Sequence, residues 1–192
     1  MIICKSRKSA ERTLANIIPF IEGGLLLKVN RAKTTVTHIS KIKYLGYACY
    51  RYKGKCQFRV HPKAVRKMKE RIREITPKNK RWSNDHRRQK LTEYDRGWVN
   101  YYKLADMKGL MTETDEWLRR RIRAIYWKQW KRGKTRYRNL RALKLEEWQV
   151  HQMANGWKGY WRTAQMLSVA LTNKIIAKRG YISMLGYYLK VV

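Results

Sequence analysis

Apolar positions recur at helical spacing along most of this chain and alternate in one stretch, which predicts a mainly α fold with a small β region. Met1 to Cys4 reads as a short apolar strand. Ser6 or Ser9 can then cap a helix carrying Ala10, Leu14, Ile17 and Ile21, which Gly23 and Gly24 end. Pro19 sits inside that pattern and removes a backbone hydrogen bond, so a kink or early end is expected there. Leu25 to Val29 reads as a second strand, completing a β-α-β piece. Two strands and one helix over roughly 35 residues bury too little apolar surface to stand alone, so this piece is expected to lean on something else. From Lys43 to Val60 apolar and polar residues alternate across a turn at Lys53-Gly54-Lys55, the signature of a β-hairpin, with Tyr44-Leu45-Gly46-Tyr47 on its first arm.

Helical periodicity governs the remainder. Pro62 suits a first helical turn, Val65, Met68, Ile72 and Ile75 form one stripe with Lys63, Arg66, Lys67, Lys69 and Arg73 off it, and Thr76-Pro77 stops the run. A polar linker, Lys78 to Ser83, leads to a second helix with Leu91, Tyr94, Trp98, Tyr101 or Tyr102 and Ala105 in register. A third begins near Thr112 or Thr114, placing Glu113, Asp115 and Glu116 in its first turn and its cations toward the end, as the helix dipole favours. With Leu118, Ile122 and Ile125 as its apolar face, three antiparallel helices from about 61 to 132 would share one core, with Gly133 ending the bundle. Downstream, Arg136, Arg138 and Arg141 precede a helix near Leu145 to Met153, a Gly-Tyr-Trp-Arg turn at 159 to 162, a helix near Ala164 to Ala177 and an aromatic C-terminus.

Charge changes the picture. Against 13 Asp and Glu stand 46 Lys and Arg, a net charge of +33 in 192 residues, and self-repulsion on that scale calls for a polyanion. A disordered basic tail is excluded by 44% hydrophobic residues, eight Trp and thirteen Tyr, which supply packed cores. Cys4, Cys49 and Cys56 form no CxxC pair, which argues against zinc or a disulfide framework and for a reduced, cytoplasmic protein. No apolar run approaches the length of a membrane span, the start is too soon polar for a secretory signal, and a membrane is not expected as a partner. His38, His61, His86 and His151 are scattered and form no catalytic arrangement.

The run from Arg123 to Arg132 interleaves Trp127 and Trp130 with Arg123, Lys128, Lys131 and Arg132. Cations neutralise phosphates and flat rings stack on unpaired bases, a pairing that suits structured, partly single-stranded RNA. The competing reading is a core Trp stripe beside a solvated charged face. Arg66, Lys67, Arg119, Arg120, Arg123, Lys128, Lys131 and Arg132 are the candidate phosphate contacts. Trp127 and Trp130 cannot both share one helical face, and Trp130, nearer the basic side, is assigned to RNA stacking. Trp98 lies on the apolar stripe and reads as core, leaving Arg96 and Asn100 as the better contacts of their helix.

In their order these segments resemble the C-terminal half of a bacterial group II intron reverse transcriptase and maturase. Ser-Arg-Lys-Ser-Ala-Glu (6 to 11), Leu-Lys-Val-Asn-Arg-Ala-Lys-Thr (27 to 34) and Tyr-Leu-Gly-Tyr (44 to 47) resemble the last palm segments and the primer-grip hairpin. Arg-Gly-Trp-Val-Asn-Tyr-Tyr (96 to 102) and Trp-Lys-Gln-Trp-Lys-Arg (127 to 132) resemble the maturase thumb, or X domain. Gly-Tyr-Trp-Arg (159 to 162) and Thr-Asn-Lys (172 to 174) through Gly-Tyr-Ile-Ser (180 to 183) resemble the region that follows it. The resemblance implies a palm remnant at 1–58, a thumb bundle at 59–133 and a C-terminal helical nucleic-acid-binding region at 134–192. It also implies a protein that binds its own intron RNA, assists splicing and copies the intron into DNA during retrohoming. Primer-grip roles fall on Tyr44, Leu45, Gly46 and Tyr47, with simple hairpin packing as the alternative for the two tyrosines, and contacts to RNA or target DNA fall on Lys158, Tyr160, Trp161 and Arg162.

The front of the chain departs from that family. The polymerase needs a palm carboxylate cluster holding Mg2+, including a Tyr-Ala-Asp-Asp motif, which is absent here. No catalytic residue is therefore expected: Lys33 resembles a palm lysine that would be a general acid only in an intact polymerase, and otherwise reads as a solvated lysine at a strand end. No cofactor is expected for this chain, with Mg2+ reserved for the complete polymerase and the intron RNA. Three readings stay open: a maturase-type RNA-binding protein, the C-terminal part of an RNA-directed DNA polymerase whose palm and fingers lie on another chain, and an inert mobile-element fragment.

Overall fold

The computed structural model describes residues 2–156 and 159–192, which fall into two compact units, Met1–Arg59 and Val60–Val192. Helices dominate, with one small three-stranded sheet.

In the first unit the Ser6 hydroxyl caps α1 (Arg7–Pro19) by accepting the Ser9 N–H at 3.2 Å. Pro19 closes the regular helix, and one π-helical turn, Phe20–Gly24, follows. The β-α-β piece does not form: neither 2–4 nor 25–29 is a strand, and Met1 lies outside the described residues. An isolated strand leaves its backbone donors and acceptors without a ladder, and no neighbour supplies one. Leu25, Leu26 and Leu27 are instead 53, 86 and 60% exposed, with Leu26 at φ +54°.

The hairpin forms as its alternation predicts. β1 (Lys43–Tyr44), β2 (Tyr47–Tyr52) and β3 (Lys55–Val60) make a sheet in that order, with Lys43 opposite Ala48 and Tyr44 opposite Tyr47. Both connections are two-residue turns with positive φ at each position: Leu45 (+50°) and Gly46 (+82°), then Lys53 (+48°) and Gly54 (+79°). Such turns match the twist of paired strands, which is why glycine sits second in each. Ala48 is the one buried residue among those described in this unit.

The second unit contains the core. In α2 (Pro62–Ile75) Met68, Ile72 and Ile75 are buried, and in α3 (Asn84–Tyr102), capped by Ser83, so are Leu91, Trp98, Val99 and Tyr102. α4 (Lys108–Gln129) starts a turn earlier than its acidic residues suggest, so Glu113, Asp115 and Glu116 are not in its first turn. Asp115 serves a different helix. Its carboxylate accepts the Ser183 hydroxyl and the backbone N–H groups of Met184 (2.8 Å) and Leu185 (3.2 Å), capping α9 (Met184–Val191) from 68 to 70 residues away.

Past α4, Gly133 opens α5 (Gly133–Ala142), which packs on α6 (Glu147–Ala154). Residues 160 to 162 belong to α7 (Tyr160–Met166) rather than to a turn, and the helix expected over 164 to 177 is split into α7 and α8 (Asn173–Lys178). The main neighbours of α4 are α7 and α9, so the core that α4 completes is built with segments from the end of the chain and is not confined to 61–132. One charge sits deep within: Asp95 is 1% exposed, neither of its carboxylate oxygens has a hydrogen-bond partner, and burial, then Asp115, push it up to about 8. Among the described residues no helix is long and apolar enough to cross a membrane.

Candidate nucleic-acid interface

Consecutive cations on one helix point in different directions, and α4 uses that fact. Arg119 lies 3.5 Å from Asp115. Arg121 donates to the Thr76 hydroxyl (2.7 Å) and carbonyl (2.9 Å), tying α4 to the end of α2. Arg123 donates to the Leu171 carbonyl (2.8 Å) and the Asn173 side chain (2.9 Å) and is only 7% exposed. Burial, then a neighbouring guanidinium, Arg73 for Arg121 and Arg119 for Arg123, pull both below the ordinary arginine value. The phosphate role expected of Arg123 is therefore corrected: the side chain is buried, with its Nε and one Nη hydrogen-bonded inside the fold.

Trp130 is corrected in the same way. It is 7% exposed, its ring meets Trp127 edge-on at 6.2 Å, and its carbonyl accepts from Arg136, whose guanidinium lies 4.4 Å from the Trp127 ring. Both tryptophans are core. Trp98 is 9% exposed and is core as its stripe predicts.

A different aromatic set reaches the surface. Trp117, Arg120, Arg121 and Lys128 recur at i, i+3, i+4 and i+11, which aligns them along one side of α4. α7 lays Tyr160 and Trp161 beside them: Arg120 stands 4.5 Å from the Trp161 ring and donates to Gln165 at 2.8 Å, and Lys128 stands 4.9 Å from the Tyr160 ring. The 78–83 linker adds Lys78, 5.3 Å from Tyr160, and Arg73 and Arg121 flank Trp117 at 5.5 and 5.2 Å. Trp161 and Tyr160 remain 43 and 36% exposed. Two partly open rings set among three cations, Arg120, Lys128 and Lys78, can stack on a base and hold its flanking phosphates.

Of the residues singled out by sequence, the structure thus brings Arg120, Lys128, Tyr160 and Trp161 together. Arg66, Lys67, Lys131, Arg132 and Arg162 are exposed, and Lys158 lies outside the described residues. Arg96 and Asn100 both address α9: Arg96 stands 5.8 Å from the Tyr187 ring and Asn100 exchanges hydrogen bonds with the Tyr187 hydroxyl. In the first unit Lys33 is exposed on a short 3-10 turn, Tyr44 and Leu45 are exposed, and Tyr47 meets Phe58 edge-on at 6.1 Å. Lys78, Arg73, Trp117 and Arg121 were not singled out. Trp117 and Arg121 shared a helical register with Arg120 and Lys128 that could have found them, whereas Lys78 had no local signal.

Among the described residues no three of His, Cys, Asp and Glu converge as a metal cluster would.

Residues 65–145, from α2 to just beyond α5, match the family model described as group II intron, maturase-specific domain. No curated protein matches the chain.

Proposed function

We propose, from the group II intron maturase-specific domain carried at residues 65–145, that this chain binds group II intron RNA and assists its splicing. The observation that carries the reading is the cation and aromatic surface of α4 and α7, whose α4 half lies inside the matched span. Splicing chemistry then belongs to the RNA. A protein favours the active RNA conformation only by the excess affinity it has for it, and roughly 1.4 kcal/mol of excess shifts that equilibrium tenfold. Arg120 and Lys128 neutralise phosphates, while Tyr160 and Trp161 discriminate unpaired bases from duplex, because a paired base offers no free face. Target DNA is a further partner by the same chemistry, and the cytoplasm is the expected compartment.

The test is equilibrium binding of the full chain to the group II intron RNA of its own locus and to a length-matched scrambled RNA, across a salt series. A preference for the intron that survives rising salt is expected. Equal affinities that collapse together would leave only polyanion attraction and refute the reading.

One observation favours a second reading, in which the chain also serves an RNA-directed DNA polymerase whose palm is on another chain. In the first unit Ile2, Ile3, Leu25, Leu26 and Leu27 are more than half exposed, an apolar surface that palm strands would cover. Restored polymerase activity on mixing with the upstream palm segment would support it, and no gain over either piece alone would refute it.

A further inference from the structure

α5 carries a second concave surface that the α4 and α7 face does not include. A cavity of about 600 Å3, open to solvent and lined by this one segment, runs along it between Arg132, Lys134, Thr135, Tyr137, Arg138 and Arg141. Lys134, Tyr137, Arg138 and Arg141 recur at i, i+3, i+4 and i+7, one side of the helix, so the sequence itself gathers these cations at one place. Compensating acid is scarce: among the described residues the one carboxylate within 4.0 Å of these cations is Glu147, 3.9 Å from Arg141, and the first turn of α5 has none. Like charges at i, i+3 and i+4 repel and weaken the helix that holds them. Arg136, on the same helix, shows the alternative fate, since its Nε donates to the Trp130 carbonyl and its guanidinium lies over Trp127. The other cations remain exposed around the cavity. Tyr137 supplies a ring there, held edge-on against His151 with centroids 5.1 Å apart.

A bare anion needs neither a ring nor that much room, whereas cavities of roughly 300–1,000 Å3 seat small organic ligands. We propose that this cavity receives one unpaired nucleotide, its base against Tyr137 and its phosphates on Arg132, Lys134, Arg138 and Arg141. The inference rests on the nucleic-acid reading above for the ligand's source, a bulged or looped-out residue of a folded RNA. The shared chemistry, a nucleoside phosphate, could also come from a free nucleotide.

The experiment titrates the full chain with three probes: a hairpin RNA carrying a single bulged nucleotide, the same hairpin fully paired, and adenosine monophosphate. The bulged hairpin should bind about tenfold tighter than the paired one, the value of one stacked base with its contacts. Joint Arg138→Ala and Arg141→Ala substitution should abolish that excess. Saturable binding of adenosine monophosphate at lower concentration than the bulged hairpin would assign the cavity to free nucleotides and overturn the RNA source. Equal binding of the two hairpins by the unaltered chain, or an excess that survives the double substitution, overturns the proposal. Should the double variant fail to fold, 4-thiouridine placed at the bulge gives the same answer on the unaltered chain: crosslinks within 132–142 support the proposal, and crosslinks confined to other segments overturn it. Intron preference over scrambled RNA does not depend on this bulge, so the two readings fail separately.

Discussion

At the scale of single residues, the same side chain serves structure or ligand according to what its neighbours leave unsatisfied. Arg123 and Arg120 stand three positions apart on α4, yet Arg123 is consumed by Leu171 and Asn173 while Arg120 backs the open ring of Trp161. Nothing in the order of letters separates them, since both partners arrive from 40 to 50 residues away. Asp95 makes a sharper case. Its ordinary value of 3.8 rises to about 8 in the fold, so between those values the folded chain keeps a proton that the unfolded chain has released. The contribution of Asp95 to stability is therefore fullest below about pH 4 and is lost as pH rises through about 8. Asp95→Asn should flatten that decline and leave the chain more stable at pH 8 by about 2 kcal/mol, read by urea denaturation at pH 5 and pH 8. An unchanged pH profile would mean that the carboxylate is hydrated in the native state.

At the scale of elements, local chemistry placed most boundaries. Ser6 and Ser83 cap the helices their positions suggest, Pro62 opens α2, and Gly54 turns the hairpin at the residue where alternation reverses. The failures share one cause. Residues 25–29 have strand composition without a strand to pair with, and the acidic residues expected in the first turn of α4 lie further along it, Asp115 buried while Glu113 and Glu116 stay exposed. Asp115 shows what they do. It satisfies two backbone N–H groups and the Ser183 hydroxyl at the start of α9, a helix of eight residues too short to persist without tertiary support. Asp115→Ala should cost about 2–4 kcal/mol and release α9 first, seen as faster amide exchange across 184–191 than across α4. Equal exchange rates in both helices would show that α9 is held by its apolar contacts alone.

At the scale of the whole molecule, +33 is more charge than the folded chain can neutralise, and it makes affinity for any polyanion steep in salt. Each phosphate contact contributes roughly 0.7–0.9 to the slope of log affinity against log salt. Lys131→Ala removes an exposed cation, so it should leave stability within about 0.5 kcal/mol and lower that slope by about one contact. An unchanged slope would place Lys131 outside the RNA footprint. Specificity needs more than this field, because the field treats all sequences alike, and that is why the exposed rings of α7 carry the functional reading.

Legible in the order of residues are the chain's mainly helical character, the place where the hairpin turns, a charge that calls for a polyanion, and the family it resembles. Each of these rests on short-range periodicity, on turn chemistry or on summed charge, all of which survive without knowledge of the fold. That Trp130 is core while Tyr160 and Trp161 are open, which arginines are engaged inside the fold, and that α7 and a linker lysine meet α4 were decided by tertiary structure. A helix presents every side of itself in sequence, and only the segments that return to cover it choose the side that remains for a ligand.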